Sequence, residues 1–145
     1  MPQITLTIAS RFDAVPLLGQ LVCSICLYAG MEPGEANEVE ICAVEAVNNS
    51  IKHAYCEDPD QRVEVAVALE SSQLTLDIRD SGRSVDERIM NGDHLQAIRF
   101  DPKYPNQISE SGRGLAIIQQ VMDSFEYAAE SKGNRFRMTK RLKNV

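Results

Sequence analysis

Between Val63 and Ile78 the chain alternates apolar and polar residues twice over. Val63, Val65, Val67 and Leu69 take every second position, and after a turn at Ser71–Gln73 so do Leu74, Leu76 and Ile78. That period of two predicts an antiparallel pair of strands sharing one apolar face. Two strands cannot hide such a face alone; they need more strands beside them and a layer on top. The rest of the chain supplies both. Ile4, Leu6 and Ile8 predict a strand near the N-terminus. Phe125–Ala129 and Arg135–Leu142 predict two more, joined across Ser131–Asn134 with Gly133 in the turn.

Helical spacing fills the gaps. Leu17, Leu18, Leu21, Val22 and Ile25 recur on one face, with Asp13 expected as N-cap, Pro16 tolerated in the first turn and Gly30 at the C′ position. A second helix is predicted from Pro33 and Gly34 to about Tyr55. A third is predicted from about Gly114 to Asp123, carrying Leu115, Ile118, Val121 and Met122. Residues 81–111 show no periodicity, and a stretch of that length inside a small domain reads as a lid or binding loop. The order β-α-α-β-β-loop-α-β-β predicts an α+β two-layer sandwich: a mostly antiparallel sheet with three main helices on one face. At 145 residues, one domain spanning 1–145 accounts for the chain.

Composition excludes several classes. With 43% apolar and 25% charged residues, wholesale disorder is not expected. No apolar run approaches the ~18 residues of a membrane span, and MPQITLTIAS lacks the basic and apolar regions of a secretory leader. A net charge of −6 without a Lys/Arg run makes nucleic acid a poor partner. Cys23 and Cys26 form a C-x-x-C inside a helical pattern, away from the helix start that redox chemistry needs, and Cys42, His53 and Cys56 do not complete a zinc set. The cysteines are expected to pack as small apolar side chains, in a reducing, cytoplasmic compartment.

Three places carry chemistry. On the second helix Glu45, Asn49 and His53 sit four residues apart, so they share one stripe, with Lys52 beside it. An acid and an amide facing a cavity suit a hydrated divalent cation, which takes oxygen ligands and keeps waters; a solvated polar edge is the alternative. Asp80 ends the Leu74–Ile78 alternation, where a carboxylate can accept from an exocyclic amine and Gly82 admits a flat ligand close to the backbone; an ordinary Asp-Ser-Gly turn is the alternative. Gly112 and Gly114, directly before an apolar helix, suit phosphate approach to free N–H groups, with Arg113 adding charge. G-x-G alone is weak, and neither a Walker A nor a Rossmann pattern is present.

Taken in order, Val44-Glu45-Ala-Val-Asn-Asn49 with His53-Ala-Tyr55, Asp80-Ser-Gly82-Arg-Ser-Val-Asp86, and Glu110-Ser-Gly-Arg-Gly-Leu115 resemble the Bergerat-type ATP-binding fold of histidine kinases and gyrase. Nearly the whole chain is similar to the bacterial anti-sigma-factor serine kinases, Met122-Asp123 and Arg137-Met-Thr-Lys-Arg-Leu142 included. Ser84 stands where the wider superfamily usually has a second glycine, with the acidic Asp86 following as in the anti-sigma group. On length a histidine-kinase identity is not expected, since beyond the catalytic unit these 145 residues offer no dimerisation helix pair with a phospho-accepting histidine.

The resemblance implies a partner switch using ATP/ADP and Mg²⁺. Such a kinase silences a sigma factor or phosphorylates a serine on a small anti-anti-sigma antagonist, and works as a homodimer, without nucleic acid or membrane. It implies Glu45 as the catalytic residue and Asn49 as the metal ligand. His53, Asp80, Gly82, Gly112, Arg113, Gly114 and Leu115 join Asn49 at the nucleotide. The alternative from another class is a module that binds nucleotide and partner without phosphotransfer; the acid at position 45 favours the enzyme.

Overall fold

The computed structural model describes residues 2–84 and 110–143. Five strands form one sheet in the order β1-β2-β3-β5-β4: β1 Gln3–Ala9, β2 Arg62–Leu69, β3 Gln73–Asp80, β4 Ser124–Glu130 and β5 Gly133–Arg141. Every neighbouring pair is antiparallel. Three α-helices accompany it among the described residues: α1 Val15–Tyr28, α2 Pro33–Asn49 and α3 Glu110–Val121.

Alternation in the sequence becomes two unlike faces in the sheet. Val63, Val65 and Val67 of β2, Leu74, Leu76 and Ile78 of β3, and Phe136 and Met138 of β5 are all buried. They meet Val22 and Cys26 of α1, Val39, Cys42, Ala43 and Val47 of α2, and Leu115 and Ile118 of α3 in one core. Residues at the intervening positions form the other face, where Arg137 grips Asp77 through two bonds of 2.7 and 2.8 Å. The expected two-layer sandwich is present.

Helix boundaries differ from expectation in three ways. Asp13 does not cap α1; it lies in a short 3₁₀ turn, Phe12–Ala14, and pairs with Arg11 on the surface, because the extra turn places Ala14 at the helix start. Gly30 does stand at C′: its N–H reaches Leu27 O and the N–H of Met31 reaches Cys26 O, the paired bonds of a Schellman stop. The second helix reaches Tyr55 only by changing pitch. Beyond Asn49 the chain makes a π turn, Ser50–Ala54, in which Tyr55 N–H bonds Ser50 O, and it then reverses through Cys56 and Glu57 at positive φ. Finally, α3 begins at Glu110 rather than near Gly114, so Gly112 and Gly114 lie inside its first turns. Most of the proposed lid, with Asp86 and His94, lies outside the described residues.

All four cysteines are free. Cys26 and Cys42 are fully buried, and burial pushes both thiols up to about 12. Cys56 departs from the expected packing role and is exposed. Among the described residues no helix is long and apolar enough to cross a membrane.

Candidate functional site

Between α2 and the β3–β5 pair lies a narrow cleft of about 20 Å³ lined by Ala46, Asn49, Ser50, Ala54, Asp80, Tyr127, Asn134 and Phe136. Apolar side chains form most of this wall, and two amides and one carboxylate converge on it. A wider hollow of about 470 Å³ opens on the helix-free face of the sheet, lined by Arg62, Glu64, Arg79 and Lys132 among others, and shares Asp80 and Asn134 as a wall. The inner cleft is the stronger candidate, because of the two it alone holds, among the described residues, a buried polar atom without a partner.

That atom belongs to Asn49. The side chain is 5% exposed and its Nδ2 has no hydrogen-bond partner. Orphaned buried donors are rare because each costs ~1–3 kcal/mol. Turned over about its terminal bond, the same amide presents Oδ1 to the cleft, so it can serve an anionic oxygen or a hydrated cation.

One turn earlier Glu45 packs against α3. A Cβ built on Gly114 would lie 2.5 Å from Glu45 Oε2 and 3.3 Å from Glu45 Cβ. Glycine at 114 is therefore the space that the Glu45 carboxylate occupies. Sequence reasoning gave Gly114 to phosphate; inside a helix starting at Glu110, the N–H at 114 belongs to the helical ladder, and orphan donors are confined to the first turn. Gly112 lies in that first turn. Arg113 is exposed, and Leu115, 1% exposed, is a core side chain that seats α3.

His53 does not join the cleft. A π turn spends more residues per revolution than an α turn, so the stripe through Glu45 and Asn49 passes to Ala54 instead. The His53 carbonyl accepts from Arg83 Nε at 2.8 Å. Its imidazole is held below the ordinary range, chiefly by burial and then by the charges of Lys52 and Arg83.

On the sheet side, Asp80 Oδ1 accepts from Gly82 N–H at 3.0 Å and from Asn134 Nδ2 at 2.8 Å. Gly82 lies so close to the π turn that an added Cβ would be 2.4 Å from Ala54 O, and Arg83 N–H bonds that same carbonyl at 3.0 Å. Tyr55, which closes the π turn, ties it to the sheet: its Oη donates to Arg62 O and accepts from Ser81 N–H, both at 2.6 Å. Sequence reasoning missed Asn134, which it left in a turn. The available signal was register, since 134 precedes the inward pair Phe136 and Met138 by the strand period of two.

Among the described residues no three His, Cys, Asp or Glu side chains converge as a metal set. A divalent cation here would rest on Asn49, water and ligand oxygens, which suits Mg²⁺ and not zinc.

Comparison with known proteins agrees with this geometry. Residues 8–140 match the histidine kinase-like ATPase domain, so nucleotide binding is a property of the family. Anti-sigma F factor from Oceanobacillus iheyensis is 32% identical over 111 residues, covering 74% of this chain and 70% of the relative. The Bacillus cytotoxicus anti-sigma F factor is 34% identical over 111 residues, 76% of this chain and 72% of the relative. Among solved structures, that of the RsbU and RsbW domains of a Mycobacterium tuberculosis protein superposes with a TM-score of 0.67 at 16% identity; the match covers 98% of this chain but 33% of that one. The SiaB–SiaC complex from Pseudomonas aeruginosa gives 0.65 at 13% identity, covering 96% of this chain and 88% of that one. These two likenesses are of fold. The domain match and the sequence relatives together place the chain in the histidine-kinase-like ATPase family, among the anti-sigma-factor kinases.

Proposed function

We propose that this protein is an ATP-dependent serine kinase that acts in a partner switch, binding a sigma factor and phosphorylating a small anti-anti-sigma antagonist in the cytoplasm. The observation that carries the reading is the buried, unpartnered amide of Asn49 one helical turn from Glu45, across the cleft from a carboxylate with one oxygen already bonded. A kinase needs three separate things of such a cleft: a reader for the base, a holder for charge at the phosphates, and a carboxylate beside the incoming hydroxyl. Asp80, Asn49 and Glu45 divide these roles.

Asp80 accepts from the adenine amine. The first turn of α3, which contains Gly112, offers N–H groups to phosphate oxygens, with Arg113 near. Asn49 Oδ1 would hold Mg²⁺, which would supply neutralisation of the charge on the phosphates. Glu45, kept in place by the gap at Gly114, accepts the proton of the serine hydroxyl. The serine Oγ–P bond then forms as the bond from the γ-phosphorus to its bridging oxygen breaks, and ADP leaves. Leu115 and His53 act from behind, by seating α3 and by fixing the π turn against Arg83.

The relatives' names support the sigma factor as a partner, and their family supports a homodimer. The test is transfer of labelled phosphate from ATP to candidate antagonist proteins of the same genome, alongside binding to sigma factors. Phosphoserine on one antagonist is the expected result. Sigma binding with no transfer to any antagonist would replace the kinase by a nucleotide-dependent binding module.

A further inference from the structure

Asn134 stands at the head of the inward row of β5 and is 4% exposed. A buried amide is costly unless its capacity is used, and here it is. Nδ2 donates to Asp80 Oδ1 at 2.8 Å, to Arg83 O at 3.0 Å and to Gly82 O at 3.2 Å, while Oδ1 accepts from Ser84 Oγ at 2.8 Å. With the Gly82 N–H on the same oxygen, Asp80 Oδ1 holds two donors. Among the described residues Oδ2 receives none, so it is the oxygen left for a ligand.

We propose that Asn134 is a positioning residue for base selectivity: it fixes the plane of the Asp80 carboxylate and ties the backbone of Gly82 and Arg83 to β5, so that one acceptor oxygen in one orientation meets the base. The inference rests on the reading of Asp80 as the base reader. A carboxylate torsion is broad by itself. Without Asn134, Asp80 can turn away from a base that presents a carbonyl, so the penalty against that base fades while the hold on an amine weakens.

Calorimetry of the full chain with ATP and with GTP in Mg²⁺, on wild type, Asn134→Ala and Asn134→Ser, reads this directly, with thermal unfolding measured in parallel. Serine keeps a hydroxyl and guards against a failure of the alanine variant to fold. Wild type should prefer ATP, and both folded variants should lose about tenfold or more of the ATP-to-GTP ratio, alanine more than serine. If the two affinities fall together with the ratio intact, Asn134 is a structural residue and the proposal is overturned. If wild type shows no preference, the assignment of Asp80 fails first, and this inference with it.

Discussion

The two walls of the cleft are built on opposite terms. On the sheet wall nearly every polar group has found a partner: Asp80 with Gly82 and Asn134, Asn134 with Ser84, and Arg62 and Ser81 with Tyr55 of the π turn. On the helix wall Asn49 keeps a buried amide unpaired, and one turn away, beside α3, Glu45 sits in a gap that only glycine leaves open. A satisfied network is rigid and belongs to the folded protein; an unsatisfied buried donor such as Asn49 Nδ2 costs stability that a ligand can return. On the proposed reading the base side of this site is preformed, and the phosphate side is completed by what binds.

The contrast breaks most visibly at Glu45. Glu45→Gln should slow phosphate transfer at least ~10²-fold, the scale for loss of a general base, while calorimetry shows ATP affinity near wild type. Equal losses in rate and affinity would make Glu45 a ligand of the metal's water shell. Next comes the sheet wall. Tyr55→Phe leaves Ser81 N–H and Arg62 O without their partner, and denaturant unfolding should lose ~1–3 kcal/mol even without nucleotide.

Asn49→Ala sharpens the opposite side. Apo stability should hold or rise, because an orphan donor is removed, while ATP affinity in Mg²⁺ falls tenfold or more, ~1.4 kcal/mol. Should apo stability drop as in Tyr55→Phe, the helix wall is no less satisfied than the sheet wall. The smallest effect belongs to His53. Its folded pKa lies below the ordinary 6.5, so below that pH the unfolded chain binds more protons and stability declines. His53→Gln should flatten the stability profile as pH falls from about 6.5; an unchanged profile would show that other groups set the acid limit.

Much of this was legible in the chain itself. The period-two runs at 63–69 and 74–78 and the helical spacing of the first two helices gave the layers, because burial of one face is a local pattern. The motifs at Glu45 and Asn49, at Asp80 and Gly82, and at Gly112 and Gly114 supplied most of the residues proposed for the site, since residue type and spacing survive in one dimension. What no spacing announces is where backbone geometry departs from the ideal. The π turn after Asn49 took His53 off the stripe and put Ala54 in its place, and the earlier start of α3 turned Gly114 from a phosphate cradle into room for Glu45. Asn134 entered the site only because β5 lies beside β3, an adjacency fifty-four residues apart in sequence. Sequence determined the periodic and chemical content. Tertiary structure decided which polar groups find partners and which wait for a ligand, because hydrogen-bond satisfaction depends on neighbours that chain order does not specify.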